Sequence, residues 1–90
     1  MLTTEEKQKL IKEYKLHDQD TGSSDVQIAI LSEEIKRLLS HLKTNPKDIH
    51  SRRGLLKIVI RRKKLLKLLK AEDEKRYEHI IKKVGLKKKE

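Results

Sequence analysis

Three polar stretches of this chain hold residue types that could do chemistry. The first is Asp20-Thr21-Gly22-Ser23, with Gln27 one helical turn further on. A glycine and hydroxyl residues ahead of an apolar-periodic segment make a turn and an N-cap. The free amides of such a helix start also make a site for a phosphate or a sugar edge. The second stretch carries His41, Asp48 and Ser51, which bracket the connection between two long helical patterns. One reading is a pair of caps and a surface histidine. The other is a polar hairpin tip able to enter the wide, shallow minor groove of A-form RNA. There a carboxylate can accept a hydrogen bond from a guanine amino group, while Ser and His bond to 2′-hydroxyls. The third stretch runs from Arg52 to Lys70 and holds nine Lys/Arg with no Asp or Glu. Ordinary exposed helices mix signs to gain pairs four residues apart, so an acid-free run points to phosphate contact.

Other chemistries find little support. His17, His41, His50 and His79 match no common metal-ligand spacing, and the chain has no Cys, so neither a thiolate metal site nor a disulfide framework is possible. No Gly-rich phosphate loop of the P-loop or dinucleotide type is present. Ser/His/Asp combinations in a helical chain of this size arise by chance. The sequence therefore predicts no catalytic residue, no cofactor and no metal.

Composition agrees with a polyanion as partner. The 90 residues carry a net charge of +10, 42% are charged and 34% are hydrophobic. That balance favours amphipathic helices with charged outer faces over a thick layered core. Nucleic acid leads as the partner, ahead of an anionic membrane surface and an acidic protein. Charge is uneven: residues 1–27 hold six Asp/Glu against four Lys, so the partner meets chiefly the later basic run. Tyr14 and Tyr77 are the only aromatics. Recognition of several stacked single-stranded bases is thus disfavoured against double-helical or shape-based recognition. No run approaches the length of a membrane span, and residues 1–6 lack the features of a signal peptide. A cytoplasmic setting is the expectation.

Four helices must position these groups. Thr3 with Glu6 forms a capping box, and Leu10, Ile11 and Tyr14 make a narrow stripe, so a first helix runs from about Thr4 to Tyr14 or Leu16. Gly22 is available for a positive φ in the following loop. The second helix opens at Ser23 or Ser24, with Ser24 and Gln27 a further capping box and Asp25 suited to the first turn. Ile28, Leu31, Ile35, Leu38 and Leu42 recur at three and four residues, and Val26, Ala29, Ile30 and Leu39 widen that stripe. The helix ends near Thr44, because Asn45-Pro46 disfavours α at Asn45. Asp48, or alternatively Ser51, caps the third helix. Its Leu55, Ile58, Val59, Leu65, Leu66 and Leu69 fill one arc, and Arg53, Lys57, Arg61, Lys64 and Lys67 fill the opposite one. Arg62 falls inside the apolar arc, where it must snorkel or pair. Asp73 caps a short fourth helix with Tyr77, Ile80, Ile81 and Val84 on its apolar face, stopped by Gly85 with Leu86 packing back. The result is an all-α single domain over residues 1–90: a short, weakly held N-terminal helix and a bundle dominated by a long hairpin.

The order of the polar blocks resembles the bacterial small-subunit ribosomal protein fifteen family. The resemblance rests on His17, Asp20-Thr21-Gly22-Ser23, Val26-Gln27, His41, Asp48, His50-Ser51-Arg52-Arg53-Gly54-Leu55-Leu56, Arg76-Tyr77 and Gly85-Leu86, and it covers essentially the full chain. It implies a four-helix fold that binds a three-way junction in the central domain of small-subunit ribosomal RNA and the helix beside it. It also implies nucleation of platform assembly next to neighbouring ribosomal proteins, a bridge to large-subunit RNA, and in some members repression of their own messenger RNA. On this resemblance Thr21, Gly22, Ser23 and Gln27 meet the junction, and His41, Asp48 and Ser51 read a G·U/G·C element in the minor groove. Arg52, Arg53, Lys57, Arg61, Lys64 and Lys67 supply the basic helix face. The chain departs from the family at Glu34, where relatives often have Arg, and at Leu68, where a Tyr commonly stands. It departs also at Ile49, in place of a frequent His, and at Asn45-Pro46, in place of a basic pair. The alternatives are a DNA-binding regulator and an amphipathic membrane-surface protein.

Overall fold

The computed structural model describes residues 2–15 and 22–85. They form α1 (Thr4–Tyr14), α2 (Ser24–Thr44), α3 (Ile49–Glu72) and α4 (Glu74–Val84), and no strand occurs among the described residues. The expectation of an all-α, four-helix protein is met.

Short polar side chains set the helix ends. Thr3 Oγ1 accepts the Glu6 amide at 3.2 Å while the Glu6 carboxylate accepts the Thr3 amide at 3.1 Å, which is the reciprocal box the sequence predicts. At α2 the cap is Ser23, whose Oγ accepts the Val26 amide at 3.3 Å. The predicted box between Ser24 and Gln27 is not formed. Ser24 is already helical, and the Gln27 amide instead donates to the Gly22 carbonyl at 2.6 Å. Gly22 does not use a positive φ; among the described residues Gly85 alone does, at φ 79°, where it closes α4. Leu86, its predicted packing partner, lies outside the described residues. Asp48, not Ser51, caps α3. Asp73 serves two helices: its amide donates to Leu69 O at 2.8 Å, and its carboxylate accepts the Arg76 amide at 3.2 Å. One residue thus ends α3 and starts α4.

The core lies where three helices meet. Ile28 from α2, Leu66 and Leu69 from α3, and Tyr77, Ile80 and Ile81 from α4 form one buried cluster, with Tyr14 of α1, Leu65 and Val84 packed against it. Each fully buried aliphatic side chain there stabilises the fold by about 1.5–3 kcal/mol. Leu55, Ile58 and Val59 are only half-buried, and Leu39, expected to widen the packed stripe of α2, is 50% exposed. The reason is the geometry of the hairpin. α4 covers the Leu66–Leu69 end of α3, so toward Thr44 and Ile49 the hairpin is without that third layer.

α1 is the lightly held element, since none of its own residues is fully buried. Its ties are Leu2, an ion pair from Glu6 to Arg37 of α2, and Lys83 of α4. Lys83 Nζ donates to Glu13 O at 2.8 Å and sits 4.3 Å from the centre of the Tyr14 ring, a favourable cation–π position.

Candidate nucleic-acid interface

The hairpin tip gathers the second polar cluster. His41 stands in the last turn of α2, Asp48 caps α3, and Ser51 lies in the first turn of α3. Asp48 Oδ1 accepts the Ser51 amide at 3.1 Å. Asp48 Oδ2 accepts the Ser51 hydroxyl at 2.7 Å and lies 2.8 Å from His41 Nε2. The Ser51 hydroxyl, His41 and the Ser51 amide hold the Asp48 carboxyl well below the usual carboxylate range. The structure therefore brings His41, Asp48 and Ser51 together as one unit. Its polarity follows from the bonds. Oδ2 is occupied twice and Oδ1 once, so one lone pair of Oδ1 is left for an outside donor. The Ser51 hydroxyl, donating its hydrogen bond to Asp48, has lone pairs to offer too. Such an edge suits amino and 2′-hydroxyl donors, which the minor groove of A-form RNA displays.

Asn45 supports the tip, a role that sequence reasoning missed. Its amide donates to His41 O at 3.1 Å and stands 3.5 Å from His41 Nδ1. The Asn45 carbonyl accepts the Asp48 amide at 3.2 Å. The Asn-Pro pair is the visible signal, but it marks a helix end and says nothing about which side chain it steadies.

The other predicted contact sits at the opposite end of α2. Gly22, Ser23 and Gln27 adjoin one another there through the Ser23 cap and the Gln27-to-Gly22 hydrogen bond. Gly22 is exposed, with open space where a side chain would grow. Thr21, assigned to the same contact, lies outside the described residues, as do His17 and Asp20.

Asp25, placed at the start of α2 for the helix dipole, has a stronger partner than the dipole. It is 3% exposed, and Arg76 of α4 donates to its carboxylate. This pair fixes the first turn of α2, which carries Gln27, to the first turn of α4. A buried aspartate cannot be told from a capping aspartate in one sequence, so the pair was not foreseen.

Along α3 the basic side chains Arg52, Arg53, Lys57, Arg61, Lys64 and Lys67 are all exposed. Arg62, on the packed side as its position in the apolar arc requires, is half-buried, and its Nη1 donates to Ser32 Oγ at 3.4 Å. Among the described residues no three His, Asp or Glu come together as a metal site. Among the described residues no helix is long and apolar enough to cross a membrane.

An all-helical scaffold with a solvent-facing cationic row and a polar cluster at the hairpin tip is of the kind that suits a nucleic-acid-binding protein. Comparison with known proteins gives that class its family. The family described as Ribosomal protein S15 matches residues 7–87. The chain is 55% identical over 87 residues to "Small ribosomal subunit protein uS15" of Carboxydothermus hydrogenoformans, covering 97% of this chain and 98% of that one. It is 53% identical over 87 residues, with the same coverage, to the protein of that name from Dictyoglomus thermophilum. The chain belongs to the ribosomal protein S15 family, whose members are structural, non-enzymatic constituents of the ribosome.

Proposed function

We propose that residues 1–90 act as one primary RNA-binding domain of the small subunit in the cytoplasm. The domain grips a three-way junction with Thr21, Gly22, Ser23 and Gln27, and reads a G·U/G·C element of the adjacent helix with His41, Asp48 and Ser51. Binding at both places holds the junction and its neighbouring helix in one relative orientation, which is how it nucleates platform assembly. A bridge to large-subunit RNA and contacts to neighbouring platform proteins belong to the same reading.

What supports this reading is that Gly22, Ser23 and Gln27 stand at one end of the α2–α3 hairpin and His41, Asp48 and Ser51 at the other. Gln27 and His41 stand on the same helix, separated by about 21 Å at 1.5 Å per residue. Basic side chains of α3 are exposed between them. A spacer of that kind suits two RNA elements joined by a phosphate backbone, with the cations supplying affinity and the two ends supplying position.

The test compares three RNAs at fixed salt: the junction alone, the G·U/G·C helix alone, and the two joined. The joined RNA is expected to bind more than tenfold tighter than either part, as linked contacts should. Hydroxyl-radical protection is expected at both elements. Equal affinity for all three RNAs, or protection at neither element, would refute the two-site grip.

A further inference from the structure

Between α2 and α3 lies an open cleft lined by Gln27, Ile30, Leu31, Glu34 and Arg61. The four α2 residues are spaced at three, four and seven from Gln27, so they form one stripe of that helix. Arg61 comes from the facing helix. The cleft holds about 150 Å³, a volume on the order of the cavity that accepts one benzene ring. Leu31 is buried and Ile30 half-buried, which makes an apolar floor. Glu34 and Arg61 stand at the wall without bridging it. Among the described residues, neither side chain has a hydrogen-bond or ion-pair partner.

On a surface that meets RNA, a carboxylate in such a place has a narrow choice of ligands. It accepts hydrogen bonds and donates none, and it repels phosphate. What enters must be flat, apolar on its faces and a donor at its edge, which describes an unstacked nucleobase. Guanine alone among the four bases presents two adjacent donors, the N1 proton and the 2-amino group, matching the two oxygens of a carboxylate. Cytosine and adenine present one amino group to such an acceptor. The Arg61 guanidinium can lie over the ring face, which serves where aromatic side chains are scarce.

Building on the junction-binding reading, we infer that this cleft receives an unpaired guanine extruded beside the junction, with Glu34 accepting from its Watson–Crick edge. Ile30 and Leu31 take the ring, and Arg61 covers its open face. Gln27 links the cleft to the Gly22 loop, so junction contact and base capture share one residue.

The experiment uses the full chain and a three-way-junction RNA with one unpaired nucleotide beside the junction, made as G, A, C, U or inosine. Wild-type protein is expected to prefer G over A, C and U by about tenfold, the scale of one good bidentate base contact, with inosine intermediate because it lacks the 2-amino group. In Glu34→Gln the preference is expected to fall below about twofold with an unchanged salt dependence, since no phosphate contact is removed. Glu34 is not fully buried, so helicity serves as the check that the variant folds. Tighter binding to the junction RNAs than to a plain duplex of equal length, but without base preference, overturns the guanine cleft and leaves junction binding standing; it is also the result if a side chain of a neighbouring protein fills the cleft. A preference that survives Glu34→Gln intact overturns the assignment to Glu34. Binding to a plain duplex as tight as to every junction version overturns the junction reading and the cleft with it.

Discussion

The Arg76 guanidinium donates to the buried carboxylate of Asp25, joining the first turn of α4 to the first turn of α2 across 51 residues of sequence. Asp25 is almost wholly removed from water, while the Arg76 side chain is 33% exposed. Breaking such a pair strands a charge in the interior, so Arg76→Leu should destabilise the protein by about 3 kcal/mol, near the low end for buried pairs because one partner is partly solvated. Urea unfolding measures it. The double variant Asp25→Asn with Arg76→Leu should recover part of the loss, because no unpaired charge is then left inside. A single variant of wild-type stability would show the pair to be idle.

Asp48 has two roles that a single substitution separates. Asn caps a helix nearly as well but carries no charge, so Asp48→Asn should keep the melting temperature at neutral pH within a few degrees. It should also narrow the preference for a G·U/G·C element over a plain Watson–Crick substitute. If the preference persists in Asp48→Asn, His41→Ala and Ser51→Ala alike, the hairpin tip is not the reader.

Asp48 also makes stability depend on pH in one direction. Its carboxyl is held below the ordinary value of 3.8 by Ser51 and His41. A group with a depressed folded pKa stabilises fully above its unfolded value, and that contribution disappears as pH falls through the lower folded value. The melting temperature of wild type relative to Asp48→Asn should therefore fall as pH drops below about 4. Thermal scans from neutral to acid pH measure this. A rise of wild type relative to Asp48→Asn on acidification would contradict the bonding seen at the tip.

The cationic row of α3 should supply affinity more than specificity. If about six phosphates are neutralised, log affinity falls against log salt with a slope of about −4 to −5. Replacing Arg53, Lys57 and Lys64 together by Gln should flatten that slope by about two to three. Filter binding over a salt series checks it, and an unchanged slope would place the RNA elsewhere.

α1 should exchange its amides faster than the hairpin. No residue within it is fully buried, and its ties are Leu2, the packing of Tyr14, one ion pair to Arg37 and the contacts of Lys83. Protection in residues 5–14 should fall below that in residues 55–69 in the free protein. Lys83→Met should lower it further. Equal protection in the two segments would show that α1 opens only with global unfolding.

Gly22 should matter to RNA and not to folding. It has no positive φ and open space at its Cβ position, so Gly22→Val should leave the melting temperature within a few degrees. Binding to a junction RNA should weaken by more than about 1 kcal/mol, the scale of one net hydrogen bond. Near-native binding would leave the Gly22 loop with only its capping role.

Much of the fold was legible in the sequence because helix ends are local events. Thr3 with Glu6, Asn45-Pro46, Asp48, Asp73 and Gly85 each act within one turn of chain, and each sits where its side chain or backbone requires. The apolar spacing of α4 and the exposed cations of α3 follow from helical period alone. Even His41, Asp48 and Ser51 could be grouped, since seven residues across a tight helix connection leave little freedom. What the sequence could not supply are relations between helices, because the distance from α2 to α3 or α4 is set by packing and not by spacing along the chain. Ser23 rather than Ser24 caps α2, a local choice between the two starts that the sequence offers. Asp25 is buried because α4 returns over it with Arg76. Leu39 stays exposed because α4 covers only one end of the hairpin. Glu34 differs in the sequence from the Arg that the family resemblance implies at its place; packing alone puts it across a cleft from Arg61, where we infer that it reads a base.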